Sequence, residues 1–128
     1  MICLEGKTIG LRNSELLIII PAYNESGNIE KTIKMIEEHT PEFDYVIIND
    51  CSTDHTLEIC RNNNFNVIDL PINLGIGGAV QTGYQYAVKN GYQYAVQVDG
   101  DGQHNPEFIR KMLQVLQEKN VNMVIGSR

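Results

Sequence analysis

Residues 16–25, LLIIIPAYNE, pass directly from five apolar residues into a polar segment that ends the run. An uninterrupted apolar run of this length is typical of a strand that is buried on both faces of a parallel sheet. Four more runs of strand length follow at residues 45–48, 66–70, 94–98 and 123–125, with segments of helical length between them. This alternation predicts an α/β fold with a mainly parallel sheet flanked by helices.

The segments between the strands carry helical signals. Ile29, Ile33 and Ile36 are spaced to share one face of a helix predicted over residues 27–38. Further helices are predicted over residues 54–63, 77–89 and 106–119. Asn105 and Pro106 are typical of a helix start, and Asn90-Gly91 is typical of a helix end. Residues 1–15 are predicted to form an arm or a short strand.

Composition and charge exclude several classes of function. The 128 residues are 42% hydrophobic and carry a net charge of −6, which is typical of one globular domain without a basic surface for nucleic acid or anionic lipid. Because no apolar run approaches about 20 residues, we expect no membrane span. The cysteines, Cys3, Cys51 and Cys60, are odd in number and widely spaced, so free thiols and a cytoplasmic location are expected.

Polar residues cluster where three predicted strands end. The first strand runs into residues 21–25, the second into residues 49–54 and the fourth into residues 99–104. Open parallel sheets bind ligands beyond the carboxyl ends of their strands, at the point where the strand order reverses. The sequence therefore predicts a ligand site at this edge.

Asp99 and Asp101 are spaced so that both carboxylates can point the same way from an extended segment. Two carboxylates held together require a compensating cation or proton, and Mg²⁺ or Mn²⁺ fits such oxygen ligands, with Gln103 as a further donor. The same Asp-Gly-Asp-Gly sequence is equally typical of a turn. His104 beside it is interpreted as an exposed loop residue, and His39 and His55 as surface residues.

Asp50 follows an apolar strand, and a carboxylate buried there must find hydrogen-bond donors. A ribose hydroxyl pair, a base N–H or nearby backbone amides would each serve. Residues 52–54 are interpreted as an ordinary helix start. Cys51 and Cys60 are interpreted as packing residues rather than nucleophiles.

A glycine-rich segment follows the third strand. Gly75 and Gly77 begin a dinucleotide-binding pattern, but Val80 occupies its third small position, so a nicotinamide cofactor is only weakly supported. The glycines allow either a ligand to approach the backbone or a helix to approach the sheet, and both interpretations stay open.

Four motifs in this order resemble the nucleotide-sugar half of family 2 glycosyltransferases, in particular the dolichyl- or polyprenyl-phosphate sugar transferases and bacterial cell-surface polysaccharide enzymes. The motifs are IIPAYNE at 19–25, NDCSTD at 49–54, residues 73–83, and DGDGQHNPE at 99–107, and the resemblance covers about residues 15–128. The resemblance implies a Rossmann-like nucleotide-diphospho-sugar transferase fold. Residues 16–128 would then be the nucleotide-sugar-binding domain, truncated before its acceptor half.

The resemblance also implies site residues. Asp101 and Gln103 would ligate Mg²⁺ or Mn²⁺, with Asp99 beside the ribose or as a third ligand. The remaining contacts to the nucleotide sugar would come from Pro21, Ala22, Tyr23, Glu25, Asp50, Gly77, Gly78, Asp99 and Gly100. Ile76 stands where many relatives carry a basic residue.

The implied function is the donor-binding part of a metal-dependent enzyme that moves a hexosyl group from a UDP- or GDP-sugar to a polyprenyl phosphate or glycan. Its catalytic base would lie beyond Arg128, and the full-length protein would act in the cytoplasm or at the cytoplasmic face of a membrane. The alternative is a nucleotide-sugar binding or assembly module without transfer activity. An uncapped sheet edge would permit a homo-oligomer.

Overall fold

The computed structural model describes residues 2–3, 15–99 and 106–119, which alternate strands and helices as the apolar runs predict. All but the first strand follow the predicted runs. The elements are β1 (Ile2–Cys3), β2 (Leu16–Ala22), α1 (Ile29–His39), β3 (Asp44–Asn49), α2 (Thr56–Asn62), β4 (Val67–Asp69), α3 (Gly75–Lys89), β5 (Tyr94–Gln97) and α4 (Pro106–Lys119).

The strands form one sheet in the order β1-β5-β2-β3-β4. β2, β3, β4 and β5 are parallel, and β1 adds to the edge antiparallel to β5. β2 is central, and its residues 16–20 are completely buried. The prediction of a mainly parallel sheet is confirmed.

The strand order reverses at β2. β3 and β4 are added on one side of β2, after which the chain returns to place β5 on the other side. Right-handed crossovers in opposite directions put their helices on opposite faces of a sheet. Accordingly, α1, α2 and α4 pack on one face and α3 packs on the other.

The two faces are covered by different residues. Ile29, Ile33 and Ile36 of α1 are completely buried against the even-numbered side chains of β2. α3 instead presents its small buried residues, Ala79, Gly83 and Ala87. A Cβ atom added to Gly83 would lie 2.3 Å from Cγ2 of Ile19, so the α3 backbone approaches β2 closely.

Most predicted boundaries agree with the structure. α4 spans the predicted residues 106–119, and Gly91 has the expected left-handed conformation, with φ of +80°. α3 begins at Gly75, two residues earlier than predicted, and α2 begins at Thr56, two residues later. The predicted strand at 123–125, the helix cap Asn105 and residues 4–14 of the predicted arm lie outside the described residues. No helix in the described ranges is long and apolar enough to cross a membrane.

Candidate functional site

The carboxyl ends of β2, β3 and β5 meet at one edge of the sheet. Ile19 pairs with Gln97, which makes Asp99 level with Pro21. Ala22 pairs with the residue before Asp50, and the Asp50 amide donates to the Ala22 carbonyl oxygen at 2.9 Å. This edge, where the strand order reverses, is the place at which open parallel sheets bind ligands.

Pro21, Asp50 and Asp99 project from the same side of the sheet, because side chains alternate along strands. Their side is the one that α3 covers. Asp50 and Asp99 follow strands separated by β2, about 10 Å apart. That spacing of the two strands leaves room for a ligand between the two residues.

Asp50 is only 3% exposed. Its Oδ1 accepts a 2.7 Å hydrogen bond from the Leu74 amide, and its carbonyl oxygen accepts one from the Asn73 side chain at 3.2 Å. A backbone amide was one of the donors predicted for Asp50, and it is observed at one of the two carboxylate oxygens. Within residues 15–99 and 106–119, no donor reaches the second oxygen, Oδ2.

The loop after β2 is joined to the loop after β3 by the side chain of Asn24. Asn24 Oδ1 accepts hydrogen bonds from the amides of Thr53, at 2.8 Å, and Asp54, at 3.3 Å. In return, the Asn24 amide donates to Ser52 Oγ at 3.0 Å. Asn24 adopts a left-handed conformation, with φ of +54°, which asparagine tolerates better than most residues.

Asp54 adds a second connection between these loops. Its Oδ2 accepts the Ser26 amide at 3.1 Å, and its Oδ1 accepts both the amide, at 3.0 Å, and the hydroxyl of Thr56. Thr56 Oγ1 accepts the Glu25 amide at 2.9 Å. Burial alone raises the pKa of Asp54, but the hydrogen bonds from Thr56 and Ser26 outweigh burial and lower that pKa to about 2. Residues 52–54 were predicted to start a helix; they instead precede one that begins at Thr56, and they fix the neighbouring loop.

The predicted residues of the first loop differ in what they expose. The Tyr23 ring is 48% exposed, whereas Ala22 is buried, with its carbonyl oxygen already paired to Asp50. The Glu25 carbonyl oxygen accepts the amides that begin α1, and its side chain is partly buried. Tyr23 therefore offers an exposed aromatic surface in this loop, and Ala22 supports the edge from within the core.

The glycines at the start of α3 have separable roles. Gly75 has a φ of +80°, and a Cβ added to Gly77 would meet no atom within 4 Å. At Gly78 an added Cβ would lie 2.6 Å from the Leu74 side chain. The helix approaches the sheet closely at Gly83. Gly77 is not needed for this packing, and its backbone is open to a ligand.

The candidate metal ligands are described only in part. Asp99 is partly buried, and its Oδ1 accepts a long 3.5 Å hydrogen bond from Gln97. Within residues 15–99 and 106–119, Gln97 is the one donor to this carboxylate, and a carboxylate with so few donors fits a hard cation. Gly100, Asp101, Gln103 and His104 lie outside the described residues, and the described residues contain no group of three His, Cys, Asp or Glu side chains suited to a metal.

The other candidates behave as surface or packing residues. His39 and His55 are exposed, as predicted. Cys51 and Cys60 are free thiols, and burial raises the pKa of Cys60 to about 11, which makes it a poor nucleophile.

Sequence reasoning missed Asn49. It is 1% exposed, donates to Asp69 Oδ1 at 2.8 Å and accepts the Ser52 hydroxyl. The burial argument that singled out Asp50 applies equally to this neighbouring polar residue. The connecting roles of Asn24 and Asp54 had no comparable signal, since their partners lie about 30 residues away.

Comparison with known proteins places these observations in a family. The sequence model of the family described as glycosyl transferase family 2 matches residues 17–128 of this chain. The chain is 30% identical over 118 residues to undecaprenyl-phosphate mannosyltransferase of Micrococcus luteus, covering 88% of this chain and 48% of that protein. It is 34% identical over 130 residues to UDP-N-acetylglucosamine–dolichyl-phosphate N-acetylglucosaminyltransferase of Methanococcus voltae, covering 88% and 51%.

A solved structure has the same fold. The mannosyltransferase PcManGT of Pyrobaculum calidifontis, solved with GDP-Man and Mn²⁺, superposes with a TM-score of 0.69 at 18% identity, covering 92% of this chain and 37% of that one. The predicted nucleotide-sugar transferase fold is confirmed. The chain spans about half the length of the curated relatives that it matches.

Proposed function

Because the chain belongs to glycosyl transferase family 2, we propose that it is the donor-binding part of an enzyme that transfers a hexosyl group from a UDP- or GDP-sugar. The observation that carries this proposal is the Asp50 carboxylate, which is buried at the switch point of the sheet with one oxygen free of described donors. The proposed acceptor is a polyprenyl phosphate, the substrate class named for the Micrococcus and Methanococcus relatives, or a glycan.

The nucleoside binds between the loops that follow β2 and β3. Asp50 Oδ2 accepts a hydrogen bond from a base N–H or a ribose hydroxyl, and the exposed Tyr23 ring contacts the base. Pro21, Ala22 and Glu25 shape this pocket. Asp99 and Gly100 contact the ribose side, and the diphosphate lies at Gly77, whose backbone is open, with Gly78 beside it against the Leu74 side chain.

A divalent cation, Mg²⁺ or Mn²⁺, is held by Asp101 and Gln103, with Asp99 beside the ribose or as a third ligand. Among the described residues Asp99 accepts only the long hydrogen bond from Gln97, and this, with the Mn²⁺ in the Pyrobaculum structure, supports the assignment. When bound, such an ion neutralises the diphosphate that leaves the sugar. We assign no general base to the described residues. The cytoplasmic location and a homo-oligomeric state stay predictions.

Calorimetric titration with UDP and GDP, with and without Mn²⁺, tests the donor site. Asp50→Asn keeps an acceptor for the Leu74 amide but loses the charge at Oδ2, and we expect binding to weaken about 10- to 100-fold. Glu38→Gln, an exposed carboxylate at the far end of α1, is the matched control and should leave the Kd unchanged. Failure of the unaltered chain to bind either nucleotide would refute the proposal.

The metal assignment has its own test. Asp101→Asn should remove the increase in affinity that Mn²⁺ gives, while binding without the metal stays unchanged. Measuring the release of UDP from a UDP-sugar by the chain then separates a catalyst from a module that only binds.

A further inference from the structure

Five backbone amides in the loops after β2 and β3 would otherwise lack hydrogen-bond acceptors. Each donates to a side chain from the opposite loop or from the start of α2. Side chains of the second loop and the start of α2 accept the amides of residues 24, 25 and 26, and Asn24 accepts the amides of residues 53 and 54. The exchange is reciprocal. Each loop is therefore held in part by side chains of the other, in addition to its own local hydrogen bonds.

These connections lie beside the two residues that we assign to the nucleoside. Asn24 directly follows Tyr23, and Cys51 directly follows Asp50. Both Asn24 and Cys51 are held in the left-handed region, with φ of +54° and +57°. Such conformations cost about 1 kcal/mol or more for residues other than glycine and persist where the surroundings fix them.

We propose that Asn24 and Asp54 are positioning residues, which hold Tyr23 and Asp50 at the spacing required for a nucleoside before it binds. This inference rests on the proposed function. A site whose loops are already ordered loses less conformational entropy on binding, so its affinity is higher for the same contacts. Neither positioning residue need touch the ligand.

Two glycine substitutions form a matched pair for the test. Asn24→Gly removes the acceptor for the Thr53 and Asp54 amides while allowing the left-handed backbone. Asn64→Gly makes the same change at an asparagine with φ of +57° in the turn before β4, away from the edge. We expect the Kd for UDP or GDP, whichever binds more tightly, to rise about 10-fold in Asn24→Gly and to stay unchanged in Asn64→Gly.

A double-mutant cycle separates positioning from a general loss of structure. If Asp54 acts through the placement of Asp50, the effects of Asp54→Asn and Asp50→Asn on the nucleotide Kd should be strongly non-additive. Hydrogen exchange should also accelerate at the amides of Glu25 and Ser26 in Asp54→Asn. If Asn24→Gly does not fold, the double-mutant cycle of Asp54→Asn and Asp50→Asn still tests the proposal.

The outcomes distinguish the two proposals. Unchanged nucleotide affinity in both Asn24→Gly and Asp54→Asn, or additive effects in the cycle, would overturn the positioning role and leave the donor site intact. No nucleotide binding by the unaltered chain would overturn the proposed function and this inference with it.

Discussion

Helices cover the two faces of the sheet by different means. On one face, α1 places three isoleucines, all completely buried, among the large side chains of β2. On the other face, α3 places two alanines and Gly83 over the same strand. Large residues keep a helix at a distance and fill the space between, whereas small residues let the backbone itself approach.

The difference matters at the functional edge. α3 begins at the carboxyl ends of the strands, and the amide just before its first turn donates to Asp50. A helix that lies close to the sheet brings this amide within hydrogen-bond distance of the carboxylate. The face of large side chains contributes stability, and the face of small ones contributes the placement of a site residue.

The largest expected effect tests the first face. Ile33→Ala removes a completely buried side chain from α1, and we expect the free energy of unfolding to fall by about 2 to 5 kcal/mol because a cavity remains. Urea unfolding followed by circular dichroism measures the loss. Val88→Ala, at an exposed position on α3, is the control and should change stability by less than about 0.5 kcal/mol. An equal loss in the two variants would contradict the packing described for α1.

The next effect tests the second face. Gly83→Ala forces a methyl group against Ile19 and should destabilise the fold by about 1 to 3 kcal/mol. Gly77→Ala, in open space within the same helix, should instead stabilise it by up to about 1 kcal/mol. The same unfolding experiment measures both variants, and a neutral Gly83→Ala would mean that α3 does not lie as close to β2 as described.

The smallest effect concerns the loops that lead into α1 and α2. The pKa of Asp54, about 2, lies below its ordinary value of 3.8. A lowered pKa stabilises the folded state above pH 4, and this stabilisation is lost as the pH falls from about 4 to about 2. The difference in unfolding free energy between the unaltered chain and Asp54→Asn should therefore shrink over that range. A difference independent of pH between 6 and 2 would argue against an ionised Asp54 in these contacts.

Much of the fold could be predicted because it depends on local patterns. Runs of apolar residues located the parallel strands, and the spacing of Ile29, Ile33 and Ile36 identified the buried face of α1. Gly77 and Gly83 could not be told apart in the sequence. Their difference depends on which of them faces Ile19, and that contact exists only once the sheet is assembled.

The candidate site divides in the same way. Burial at the end of a strand was enough to single out Asp50. Its partner Leu74 lies 24 residues away and contributes only its backbone amide, so its side chain gives no signal in the sequence. Likewise, the amides of residues 53 and 54 donate to Asn24, about 30 residues away, so this contact ahead of α2 has no local signal. The metal ligands Asp101 and Gln103 stay predictions.

The central place of β2 has a consequence for synthesis on the ribosome. β2 is the first of the parallel strands to be made, yet one of its two edges pairs with β5, where Leu16 meets Tyr94, 78 residues later. At about 5 to 20 residues per second, that edge waits roughly 4 to 16 seconds for its partner. During this interval the apolar residues 16–20 are open to pairing with other chains, so aggregation of the nascent chain should be sensitive to the speed of translation across residues 23–94.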